Sequence, residues 1–75
     1  MTEREDFCRA FAKRLKKRRK AAGMTQYDLA DATDGEIGRS AIAGYEQVRH
    51  EPSAYAVYRM SAALGCSIED LTGRW

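Results

Sequence analysis

A chain of 75 residues, 44% hydrophobic and 32% charged, suits one small globular domain and excludes both a disordered chain and a cleft built between two domains. The net charge is only +2, so any basic surface must come from uneven distribution. No apolar run approaches the roughly 18 residues needed to span a bilayer, and the opening MTEREDF lacks a signal peptide's apolar core, so a cytoplasmic protein without membrane contact is expected.

The chain opens with acids at Glu3, Glu5 and Asp6. Phe7, Cys8, Phe11, Ala12 and Leu15 then recur at helical spacing, and Gly23 supplies a stop, which predicts a first helix over residues 5–21. Within it residues 13–20 read KRLKKRRK, seven basic side chains interrupted by one leucine. Acids at the start and bases at the end suit the helix dipole, and the run predicts a basic face, or more plainly a solvated helix side. Thr25, with Asp28 three residues on, caps a second helix over 25–33 that carries Leu29, Ala30 and Thr33 and closes at Asp34-Gly35.

A third helix is expected over 38–47, in the stretch GRSAIAGYEQVRHEP (38–52), with Ile42, Tyr45 and Glu46 on its buried side. Pro52 forces it to end earlier. Ser53 caps a fourth helix whose apolar stripe is Val57, Met60, Ala63 and Leu64, with Gly65 as its stop. Ser67 with Asp70 repeats the cap pattern for a last short helix holding Ile68 and Leu71. No strand alternation, hairpin signal or repeat appears. The expected fold is all-α, a compact bundle of about five short helices.

Two charges fall on apolar rows. Arg19 lies four residues beyond Leu15 on the Phe11 row, and Glu46 lies four beyond Ile42, so each extends an inward face. Either the two meet inside, or both snorkel to water along their stems. Cys8 and Cys66 lack a CxxC or Cys/His spacing and read as reduced structural thiols, so no metal, cofactor or disulfide framework is expected. No nucleophile stands at a supporting distance from a base, and no glycine loop suits a phosphate, so an enzyme is not expected.

The segments MTQYDLADA (24–32), GRSAIAGYEQ (38–47), Pro52-Ser53 and SAALGCSIEDL (61–71) follow one another in an order and spacing that resemble the helix-turn-helix DNA-binding domains of the Cro and lambda-repressor type, also called the Xre family. The resemblance runs from Phe11 to Leu71. It implies a lambda-repressor-like fold in which the third helix enters the major groove of an operator and the chain acts as a homodimer. Arg39 and Ser40 occupy the first positions of that helix, where relatives contact base edges, and Ala43 and Gly44 take later groove-facing places. Thr25 and Gln26 match the phosphate-anchoring start of the second helix, and Arg49 and His50 the loop that meets the next phosphates. Arg19 and Glu46 match an internal ion pair of many relatives. Lys16, Lys17 and Lys20 add long-range attraction.

The pattern departs in three places. The turn around Asp34-Gly35-Glu36 is about two residues longer than usual, its acids stand near the supposed DNA face, and Val48 replaces the usual glycine after the third helix. The function implied is a sequence-specific, repressor-like transcription regulator associated with the nucleoid. The alternative is a protein-interaction module on the same fold, such as an antitoxin or phage factor. Tyr55, Tyr58 and the fifth helix with Leu71, Arg74 and Trp75 are the candidate surfaces for a dimer or protein partner, while Trp75 could equally pack locally.

Overall fold

In the computed structural model, residues 2–73 are described, so Arg74 and Trp75, named above as candidate partner surfaces, lie outside the described residues. Five helices and no strand occur among them: α1 (Glu3–Ala21), α2 (Gln26–Ala32), α3 (Arg39–Glu46), α4 (Ala54–Leu64) and α5 (Ile68–Thr72). Four start on a hydroxyl cap. Thr2 accepts from the Glu5 N–H at 3.1 Å, which opens α1 two residues ahead of the expected start at residue 5. Thr25 and Ser67 form full capping boxes with Asp28 and Asp70, each side chain accepting the other residue's backbone N–H at 2.9–3.0 Å. Ser53 Oγ accepts from Ala56 at 3.0 Å. At α3 the cap position is Gly38, and no side chain bonds the first N–H groups.

The helices bury one row each. Phe11 and Leu15 from α1, Leu29 from α2, Ile42 from α3, Met60 from α4 and Leu71 from α5 are at most 1% exposed and form one core. Ala30 and Ala56 keep the crossings close. α1 packs on α3 and α5, α2 on α3 and α4, and α4 on α5, so every helix is held from at least two sides.

The helix ends reuse one geometry. α1 and α4 finish on left-handed Gly23 (φ 71°) and Gly65 (φ 67°), but α2 and α3 place Asp34 (φ 57°) and Val48 (φ 59°) there. After α3 the Arg49 N–H reaches the Gly44 carbonyl at 2.8 Å and the Val48 N–H reaches Tyr45 at 3.1 Å, the paired bonds of a Schellman stop. Val48 thus ends the helix where a glycine would, at the cost of a left-handed conformation that opposes a β-branched side chain.

The long turn between α2 and α3 is anchored. Thr33 is fully buried, its hydroxyl donating to the Ala30 carbonyl at 2.8 Å and accepting from the Ile37 N–H at 3.1 Å, and Ile37 itself enters the core. From α4, Arg59 donates to the Thr33 carbonyl at 2.9 Å and stands 3.3 Å from Asp34 and 3.1 Å from Glu36. Tyr55 adds a hydroxyl bond to Glu36. The acids of the turn are therefore drawn back to α4 by a cation that the helical pattern did not single out.

Two outcomes are expected. Val48→Gly should raise stability by about 0.5–1 kcal/mol, the relief of left-handed strain less the added freedom of the unfolded chain, which appears as a Tm higher by a few degrees in thermal unfolding followed at 222 nm. Arg59→Ala should loosen the turn, so the Ile37 amide should exchange with deuterium about tenfold faster, while the Leu15 amide keeps its rate.

Candidate nucleic-acid interface

The first turn of α2 lies across α3. Gln26 Nε2 donates to Glu46 at the C-terminal end of α3 at 3.2 Å, while the neighbouring Tyr27 ring lies against Arg39 at its N-terminal end. This crossing leaves Arg39 and Ser40 exposed at the start of α3 and Ala43 half-buried one turn later. Thr25 and Arg49 are exposed at the two borders. The Thr25 hydroxyl also serves the cap of α2, and one of the two Gln26 amide hydrogens is used on Glu46, which leaves the second available.

The back of α3 is held by the Arg19–Glu46 pair. Arg19 Nε and Nη2 donate to the two carboxylate oxygens at 2.7 and 2.9 Å, and Nη1 donates to the Met24 carbonyl at 2.7 Å. The side chains are 9% and 4% exposed, so the two charges meet inside rather than snorkel to water. Burial pushes the Glu46 carboxyl up, but the hydrogen bonds from Arg19 and Gln26, with the positive charges of Arg19 and Lys16, outweigh it and hold the group below its ordinary value. Glu46 therefore remains a carboxylate, and the Arg19–Glu46 pair together joins α1, the α1–α2 connection, α2 and α3.

Gly44 does not stand where the family pattern puts it. It is buried, and the His50 imidazole lies across it so closely that an added Cβ would clash with the ring's Cδ2. The reason is the Val48 turn, which folds the chain back over α3 and seats His50 on the one glycine within that helix. Gly44 is thus the floor under His50, which is exposed on its outer side, and has no side chain of its own to offer a base. Two neighbours were invisible to spacing alone. Tyr27, 65% exposed, partners Arg39, and Arg59 faces the turn acids. Exposed aromatic and basic residues carry no periodic signal, so only a three-dimensional neighbour gives them a role.

Most acids around this face are matched by bases. Glu46 is held by Arg19, Asp34 and Glu36 face Arg59, and Glu51 pairs with Arg4 at 2.8 Å, whereas Lys16, Lys17, Lys20 and Arg49 are exposed. Among the described residues no group of His, Cys, Asp or Glu side chains is arranged to hold a metal, and no helix is long and apolar enough to cross a membrane.

Two short helices joined by a turn, the second presenting its N-terminal side chains outward, define a DNA-binding domain of the helix-turn-helix class. The helix-turn-helix family model matches residues 15–71, most of the chain, and the protein belongs to that family in its Cro and lambda-repressor form. No curated protein and no solved structure gives a significant match.

Removing one partner of the buried pair strands the other. Glu46→Ala is expected to lower stability by about 3 kcal/mol, against less than about 1 kcal/mol for Glu51→Ala at the exposed bridge, as read by urea unfolding. A carboxyl held low when folded contributes stability above its unfolded pKa and loses it as pH falls, so the wild type should weaken below the ordinary carboxylate value of 4.5. That acid-side slope should be shallower in Glu46→Gln.

Proposed function

We propose that residues 1–75 act as a single domain, a sequence-specific and repressor-like regulator of transcription that lays α3 in the major groove of duplex DNA. The observation that carries this reading is the outer edge of α3, with Arg39 and Ser40 exposed on a helix fixed from behind by the buried Arg19–Glu46 pair. An arginine there grips guanine O6 and N7 with two hydrogen bonds, a serine serves any base or a phosphate, and Ala43 meets a thymine methyl. Thr25, Gln26, Arg49 and His50 take phosphates on either side, and the lysines of α1 supply long-range attraction in the nucleoid. One helix reads few base pairs, so the active form is a homodimer on an inverted repeat with half-sites about 34 Å apart.

A second reading is supported by Tyr55 and Tyr58, which are 54% and 53% exposed on α4 with rings 6.3 Å apart. Such an uncovered aromatic pair suits a protein partner, as for an antitoxin or phage factor.

Selection from a random duplex library at about 0.15 M salt separates the two. A recovered inverted repeat supports the regulator, and absence of enrichment by folded protein favours the protein partner. On the selected site, Arg39→Ala should relax preference at one base pair, whereas Gln26→Ala or Arg49→Ala should weaken binding to all sequences and lower the salt slope by about 1 each.

A further inference from the structure

Tyr27 stands out because nothing in the fold needs it. It lies in the first turn of α2 with 65% of its surface exposed and adds nothing to the core, a position that any polar residue would fill at no loss. Its ring nevertheless has a partner, since the Arg39 guanidinium carbon lies 5.2 Å from the ring centroid, within the range of a cation–π contact. The two residues come from different helices, on the open side of the α2–α3 crossing.

The form of this contact matters. A carboxylate partner would occupy the N–H groups of Arg39, as Glu46 occupies those of Arg19. A guanidinium stacked by its face on an aromatic ring keeps its donor edge open. Among the described residues no hydrogen bond or ion pair uses that edge of Arg39. A long, exposed arginine otherwise spreads over many rotamers, and the lost freedom is charged against any base contact it makes. A ring stacked on the guanidinium face restricts those rotamers before DNA arrives and leaves the bidentate fork free.

We propose that Tyr27 is a positioning residue for specificity, holding the Arg39 guanidinium by its face so that its donor edge is presented to a guanine in the major groove. The inference rests on the reading of Arg39 as the base-contacting arginine. It gives Tyr27 a role distinct from that of a phosphate ligand, which would act through the phenol hydroxyl and carry no sequence preference.

The experiment compares wild type, Tyr27→Ala, Tyr27→Phe, Arg39→Ala and the Tyr27→Ala/Arg39→Ala double variant on the selected duplex and on duplexes altered at each base pair, over a range of salt. Far-UV circular dichroism checks that each is folded. Tyr27→Ala is expected to reduce discrimination about two- to fivefold, the worth of an exposed cation–π contact, at the same base pair where Arg39→Ala abolishes it, with an unchanged salt slope. Tyr27→Phe should match the wild type, and Tyr27→Ala should have no further effect on the Arg39→Ala background. In free protein, the ring-current shift of the Arg39 side-chain protons should vanish in Tyr27→Ala and persist in Tyr27→Phe.

A uniform loss of affinity in both Tyr27 variants, with a lower salt slope, would make Tyr27 a phosphate ligand and overturn the proposal. So would unchanged discrimination in Tyr27→Ala. If Arg39→Ala itself leaves discrimination intact, the assignment of Arg39 fails and the positioning role falls with it, an outcome distinct from failure of Tyr27 alone because the ring-current shift would still report the stack.

Discussion

A guanidinium and a carboxylate, buried between α1 and α3, set the orientation on which the rest of this small domain depends. Taking two charges out of water is costly, and a buried pair is by itself weak evidence of stability. Its consequence here is geometric. Arg19 is planar and uses three nitrogens at once, two on Glu46 and one on the Met24 carbonyl, so α3 cannot rotate about its axis without breaking a charge-assisted bond. The outward edge of α3 is fixed because its inward edge is.

An eight-residue helix with two flanking breaks has little stability of its own, since short helices rely on tertiary packing. Ile42 anchors it to the core, Gln26 braces its C-terminal end through Glu46, and His50 covers Gly44. A larger residue at 44 would displace the imidazole, and a residue easier at positive φ than Val48 would stop the helix with less strain. The segment accepts weak local choices because its neighbours hold it in place. Strain of this kind persists only where the surroundings over-determine it.

Charge is organised on the same principle. The net charge is small, yet the acids of the long turn and Glu51 are engaged by arginines from other elements, Arg59 for Asp34 and Glu36 and Arg4 for Glu51. The lysines of α1 remain exposed. On the proposed reading, a duplex docked on α3 meets a surface whose turn acids are engaged by arginines although the composition is nearly balanced.

The helices, the caps of α2, α4 and α5 and the apolar rows were legible in the sequence because they depend on residues within four positions of one another: Thr25 with Asp28, Ser67 with Asp70, Phe11 with Leu15. The inward placement of Arg19 and Glu46 was legible for the same reason, as continuation of a row. What the tertiary structure alone decided was which side chains meet across long separations. His50 lies over Gly44 because Val48 turns the chain back, Arg59 reaches a turn 25 residues away, and Tyr27 finds Arg39 because two helices cross. Local periodicity says which face a residue occupies, but an exposed residue's partner is set by how separate helices pack, and no short-range pattern carries that information.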